Sequence, residues 1–217
     1  MVHCLHSRLR HLCFALILGA STVVAVDLSS DLLEYIEAEF GTEATDRLKR
    51  WEHLSAVAAS APVERQLQLV NSFFNRVQFV DDIKHWGEED YWATPVEMLA
   101  TNGGDCEDFS ISKYVTLKAM GVPDAQLRIM YVKALELNQA HMVLAWYPTP
   151  DAEPLILDNL INEIRPASER PDLEPVYSFN GEGLWLNKQR GPGKRIGTPE
   201  RLSRWVDLNS RLIDSLR

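Results

Sequence analysis

The stretch Thr101-Asn102-Gly103-Gly104-Asp105-Cys106-Glu107-Asp108-Phe109 concentrates reactive side chains in a few positions. A thiol is bracketed by three carboxylates and preceded by a glycine pair, which marks a turn. Ile111, Tyr114, Val115 and Lys118 then fall at helical spacing, with Ala119 and Met120 closing the apolar side. Gly121 and Pro123 end that pattern in the order expected of a helix terminus. Cys106 is therefore predicted in the first turn of a helix, where unpaired N–H groups and the macrodipole stabilise a thiolate. A buried, inert cysteine fits poorly among so many charges. The acids pull the other way, because adjacent negative charge raises a thiol pKa. Asp105, Glu107 and Asp108 read equally as oxygen ligands for a hard cation such as calcium or as the acids that helix starts favour.

A nucleophilic cysteine needs a general base, and that base needs an orienting acceptor. Past the N-terminal segment the histidines are His53, His85 and His141. His53 lies in an amphipathic helical stretch and reads as a surface or interface residue. His85, in the polar stretch 82–87, reads as structural. His141 opens the apolar run His141-Met142-Val143-Leu144-Ala145-Trp146-Tyr147, a buried-strand pattern with its polar end where a sheet edge meets a cleft. A second apolar run, Leu155-Ile156-Leu157-Asp158-Asn159-Leu160, follows the turn-rich residues 148–154. A carboxylate inside such a strand is costly unless paired, and two antiparallel neighbours would bring Asp158 beside His141. Cysteine at a helix start, then histidine and aspartate on following strands, is a layout for acyl transfer. Zinc held by the same three residues is the weaker competing reading, since paired Cys/His spacing is missing and only three ligands are on offer.

Such side chains need a rigid frame, and the flanking sequence supplies one. Residues 28–58 show helical periodicity through Leu32, Leu33, Ile36 and Phe40, then Leu48, Trp51 and Leu54. Residues 63–80 repeat it through Leu67, Val70, Phe73, Phe74 and Val77. These stripes read as core faces. Leu127 to Ala134 reads as a strand ahead of the histidine strand, and 199–216 as a helix carrying Trp205, Leu208 and Leu212 on one side. Gly87-Glu88-Glu89-Asp90 and the basic stretch 188–195 read as solvated loops, with a substrate groove the alternative role for the first and partner docking for the second.

Composition narrows the function classes. The chain has 217 residues, 46% hydrophobic and 24% charged, in the proportions of a soluble globular domain. Acids outnumber bases 31 to 22, and a net charge of -9 argues against nucleic acid as partner. Residues 1–11 carry Arg8, Arg10 and three histidines but no acid, and Leu12 to Val26 is uncharged. Fifteen uncharged residues fall short of the roughly 20 that a spanning helix needs. Val23-Val24-Ala25 supplies small residues for cleavage after Ala25. The expectation is an export signal at 1–25 and a single domain at 26–217. Cys4 and Cys13 lie in the removed segment, so the mature chain keeps Cys106 alone and its charge moves to -11.

The motifs Gly103-Gly104-Asp105-Cys106-Glu107-Asp108, Ala140-His141-Met142-Val143-Leu144 and Leu157-Asp158-Asn159 resemble those of the bacterial transglutaminase-like cysteine proteinases, in particular the LapG-type periplasmic proteases. They stand in family order at spacings of 35 and then 17 residues. The segment from Asp82 to Glu97 is similar too, and the likeness covers residues 30 to 205. The resemblance implies an α+β, papain/transglutaminase-like fold with a helical lobe on an antiparallel sheet and the active-site cleft between them. It implies Cys106 as nucleophile, His141 as base and Asp158 as its orienting group, with Ca2+ bound beside the thiol by Asp105, Glu107 and Asp108. It further implies a periplasmic endopeptidase that cuts the N-terminal region of a large biofilm adhesin, restrained by an inner-membrane LapD-like cyclic-di-GMP receptor. Two alternatives stay open at this point: a transglutaminase passing the acyl group to an amine, and a calcium-dependent binding module without catalysis.

Overall fold

The computed structural model describes residues 25–187 and 193–215. The expected export signal lies outside these residues apart from Ala25, as do residues 188–192 of the basic loop. No helix among the described residues is long and apolar enough to cross a membrane.

Three helices open the domain: α1 (Ser30–Phe40), α2 (Thr42–Ala58) and α3 (Val63–Phe74). The periodicity over 28–58 predicts continuous helix, but Gly41 breaks it with φ +83 and donates its N–H to Glu37 O at 3.0 Å. A left-handed glycine is a common helix stop. Helix α3 ends at Phe74, and the rest of its expected stretch includes a short strand, β1 (Gln78–Phe79). The polar segment that follows is also more ordered than it reads, holding α4 (Asp82–His85) and then α5 (Pro95–Thr101). Helix α5 starts with a capping box. Thr94 Oγ1 accepts from Glu97 N at 3.2 Å, and Glu97 Oε2 accepts from Thr94 N at 2.7 Å.

The glycine pair is not itself the turn. Asn102, left-handed at φ 55, makes the turn, and β2 (Gly103–Gly104) pairs in parallel with β1. Glycine is required there by close approach. A Cβ on Gly103 would stand 2.6 Å from His85 Cε1, and one on Gly104 would stand 2.7 Å from Asp108 Oδ2. Gly104→Ala is therefore expected to destabilise by about 1–3 kcal/mol, as overpacking of a close-packed site does. In a domain of this size that lowers Tm by about 2–4 °C per kcal/mol. An unchanged melting curve would show that Asp108 gives way freely.

Helix α6 (Cys106–Ala119) runs between the helical lobe and a seven-stranded antiparallel sheet of order β6-β5-β4-β3-β7-β8-β9. Its strands are β3 (Leu127–Ala134), β4 (Gln139–Trp146), β5 (Leu155–Leu157), β6 (Arg165–Pro166), β7 (Leu173–Phe179), β8 (Leu184–Leu186) and β9 (Lys194–Gly197). One sheet face joins the main core: Ile129, Leu144, Leu157 and Phe179 meet Trp51, Leu67, Phe74 and Ile111 from the helices. On the other face Met130, Val132, Val143 and Ile156 form a second core. Burial on both faces explains why β3 and β4 read as nearly continuous apolar runs. Trp51 is wholly buried, and its indole N–H donates to Thr116 Oγ1 at 2.7 Å.

The C-terminal helix α7 (Ser203–Ser215) buries Trp205 and Leu208, as its periodicity predicts. Its Arg211 also holds the site segment in place, donating to Glu97 Oε2 and to Trp92 O, both at 2.6 Å. The architecture is the expected one: a helical lobe against an antiparallel sheet, with α6 at the junction.

Candidate active site

Cys106 is the first residue of α6, and its position is fixed from behind by Asp108. Asp108 is fully buried and bridges two backbones: Oδ1 accepts from Ala93 N at 2.7 Å and Oδ2 from Asp105 N at 3.2 Å. It thus ties the start of α6 to the segment that precedes α5. The Cys106 thiol lies 3.0 Å from Glu107 Oε2, to which it donates. Burial pushes the thiol pKa well up, and the charges of Glu107 and Asp105 push it further. A hydrogen bond from the Met142 backbone N–H works in the opposite direction.

His141 and Asp158 meet as the sequence order predicts. His141 Nε2 lies 2.8 Å from Asp158 Oδ1, with both side chains buried. The detail differs from expectation, because β4 begins two residues before His141 and Asp158 follows β5 rather than lying within it. Leaving the ladder gives Asp158 two further donors: Leu160 N at 3.0 Å to Oδ1 and Arg170 Nη2 at 2.8 Å to Oδ2. Burial alone would raise this carboxyl. The His141 hydrogen bond and charge, with the Leu160 N–H and Arg170, hold it down at about 2. The loop itself is secured from α3 and the residue after it, through Asn71 Nδ2 to Asn162 O at 3.0 Å and Asn75 Nδ2 to Asp158 O at 2.8 Å.

Arg170 and Lys113 carry no local sequence signal of their roles. Arg170, 2% exposed, spans Asp158 and Asp172, reaching the latter with Nη2 at 2.7 Å and Nε at 3.0 Å. Lys113, on α6, is fully buried. Burial lowers its pKa to about 7, against the pull of Asp158. Removing the guanidinium leaves Asp158 with a less compensated buried charge. Arg170→Gln is expected to cost about 3–5 kcal/mol of stability, measured as a fall in the urea midpoint. A cost below about 1 kcal/mol, the range of an exposed pair, would mean that Arg170 does not hold Asp158.

The acids around Cys106 extend beyond the expected set. Ligand-capable atoms of Asp82, Asp105 and Asp108 lie within 4.8 Å of one another, as do those of Asp82, Asp90 and Glu107, and of Asp105, Cys106 and Glu107. Asp82, on α4, is 3% exposed. One oxygen of Asp82 and one of Asp105 are buried without any hydrogen-bond partner. Such orphaned carboxylate oxygens are costly unless a cation or donor meets them. Burial pushes Asp82 up to about 6. Burial and mutual repulsion likewise raise Asp105, and burial raises Glu107. A hard, oxygen-seeking cation fits this donor set. Asp108 already accepts two backbone N–H groups, and Asp90 is engaged by the Trp92 indole and Arg204, so Asp82 and Asp105 offer the freer oxygens. Sequence alone singles out neither Asp82 nor Asp90 as a ligand, because an acid-rich polar stretch looks the same whether it is solvated or folded back.

Cys106, His141, Asp105 and Glu107 line a single cleft of about 420 Å³. Tyr131 and Tyr177 form one wall, their rings stacked at 5.0 Å and 7°. The register of β3 against β7 shifts after Tyr131, so the bulge sits at the cleft. Trp92 also lines it, but its indole N–H donates to Asp90 Oδ1 at 2.9 Å and its ring stacks on Phe179 at 5.5 Å. His85 stays structural: its ring packs over Gly103 and Nε2 lies 2.8 Å from Thr101 Oγ1.

Comparison with known proteins agrees with this geometry. The family described as bacterial transglutaminase-like cysteine proteinase BTLCP matches residues 38–173. Among solved structures, LapG of Legionella pneumophila is 45% identical, with a TM-score of 0.75 over 87% of this chain and 99% of that one. Its EGTA-treated form gives 46% and 0.76 over the same shares. Its calcium-bound form gives 47% and 0.73 over 85% of this chain and 99% of that one. No match is found among functionally curated proteins. With well over half of the sequence inside the family's bounds and the fold shared with LapG, the chain belongs to the bacterial transglutaminase-like cysteine proteinases.

Proposed function

We propose that this chain is a calcium-dependent cysteine endopeptidase of the periplasm. Its substrate is the N-terminal region of a large surface adhesin, which the cut releases from the cell, and a LapD-like cyclic-di-GMP receptor in the inner membrane restrains it. The observation that carries the catalytic part is the convergence of a helix-start cysteine and a carboxylate-held histidine on one cleft. The likeness to LapG supports the rest, and a calcium-bound LapG supports the cation.

In the proposed reaction Asp158 holds the proton on His141 Nε2, leaving Nδ1 to take the thiol proton of Cys106. The thiolate attacks the scissile carbonyl carbon. The oxyanion is met by the Cys106 backbone N–H, one of the unpaired donors at the start of α6. His141 then gives its proton to the leaving amine, and a thioester remains. Water, deprotonated by His141, attacks the thioester; the new carboxyl terminus leaves and the thiol is restored. A cation bound by Asp82, Asp90, Asp105 and Glu107 would supply positive charge that offsets the push of these acids on the thiol pKa.

The test is cleavage of a purified N-terminal adhesin fragment by residues 26–217, with calcium, with chelator, and with Cys106→Ala alongside. Two discrete fragments, lost in the variant and with chelator, are expected. Incorporation of a labelled amine with release of ammonia, in place of fragments, would make the protein a transglutaminase. An unreactive Cys106 and no product of either kind would leave only a binding module.

A further inference from the structure

The helical lobe holds a second concavity, of about 520 Å³, that shares no lining residue with the Cys106 cleft. Its apolar lining is Leu54 and Val57 of α2, Phe73 of α3, Val77 and Leu99. Arg47, Arg50 and His53 of α2 and Arg76, just past α3, supply its basic lining. No acid lines it, although the chain carries a net charge of -9.

The arginines divide by role. Arg47 is used by the fold: Nε donates to Leu99 O at 2.7 Å and Nη2 to Ala100 O at 2.9 Å, satisfying carbonyls at the end of α5. Arg50 and Arg76 are exposed, and among the described residues neither has a carboxylate within ion-pair distance. Of the apolar lining, Val57 is 58% exposed and Phe73 is partly so. Two unengaged guanidinium groups, from α2 and from just past α3, lining one apolar hollow match a ligand that combines apolar side chains with anionic groups. Arginine forks pair with carboxylates bidentately, and arginine beside an apolar pocket is a frequent anchor of protein interfaces.

We propose that this groove docks a segment of a partner protein in which apolar side chains are flanked by carboxylates. A concave floor takes side chains, which a bilayer surface does not offer. The exposed Glu43 and Asp46 on the same helix would also repel a uniformly anionic membrane. The proposal stands independently of the cleft, because its readout is binding and not turnover.

The probe is a fluorescent peptide of repeated Glu-Leu-Trp-Glu units, titrated with residues 26–217 and followed by anisotropy. Three changes are each expected to weaken binding roughly tenfold or more: glutamine for glutamate in the peptide, Arg50→Glu with Arg76→Glu, and Val57→Asp. Added salt should weaken it as well, whereas alkylation of Cys106 should leave it unchanged. All three positions are exposed or partly so, and unchanged melting curves would confirm that the variants fold. Failure of the acidic peptide to bind, or equal binding of the glutamine peptide, would overturn the proposal. So would arginine-dependent sedimentation with phosphatidylglycerol vesicles while the peptide stays free, which would make the groove a lipid-headgroup site.

Discussion

Cys106→Ala is expected to reduce the proposed adhesin cleavage by at least about 10,000-fold while leaving the fold intact, because it deletes the proposed nucleophile and nothing structural. The sulfur's hydrogen bonds are to Glu107 and to the Met142 N–H, and neither supports the core. Asp158→Asn is the more informative partner. It preserves shape but removes the charge that holds the proton on His141 Nε2, and an amide turned with its N–H toward the ring moves that proton to Nδ1. That tautomer cannot accept the thiol proton, and the corresponding change in a serine triad costs about 10,000-fold. Single-turnover kinetics on one substrate would measure both. Loss of activity in Cys106→Ala together with nearly full activity in Asp158→Asn would remove Asp158 from the mechanism and leave it as an anchor for Arg170.

The second large effect is on the acid cluster. Calcium at about 100 times its Kd stabilises a folded domain by about 2.7 kcal/mol, which at this size raises Tm by about 5–10 °C. Asp82→Asn is expected to remove most of that gain, since the loss of even an outer-shell partner costs about 10–100-fold in affinity. The sign of the pH dependence follows from the raised carboxyls. Asp82 titrates at about 6 in the folded protein, above its ordinary value, so between the two values the folded state holds more protons than the unfolded. In chelator, stability therefore falls as pH rises through that window, and Asp82→Asn flattens the slope. In calcium the trend reverses, because protons compete with the ion for the same oxygens. Melting curves across pH, with and without chelator, give all four slopes. A calcium-induced rise in Tm that Asp82→Asn leaves whole would place the ion elsewhere.

Much of the site was legible in the sequence because its signals are short-range. The apolar spacing after Cys106 and the glycine and proline that close it define α6, and with it the place of Cys106 at a helix start. Two apolar runs joined by a turn-rich segment predict neighbouring strands for His141 and Asp158, and β4 does pair with β5, with Asp158 one residue past its end. The order of cysteine, histidine and aspartate needs no tertiary information to be read.

What only the tertiary structure decided depends on residues brought together from far along the chain. Periodicity alone carried the helix through Gly41, where one backbone angle ends it. Asp82 and Asp90 become neighbours of Glu107 because the segment from β1 to α5 folds back onto the start of α6, held by the β1–β2 pairing and by Asp108 on Ala93 N. The Trp92 indole N–H is taken up by Asp90, and Asp158 gains Arg170 only once the chain has left β5. The same holds for the basic groove, whose arginines come from α2 and from the end of α3. Local sequence pattern reports backbone propensity and amphipathic period. It carries no information on which distant charge will compensate a carboxylate, because that choice is made by packing and by the cost of burying a charge unpaired.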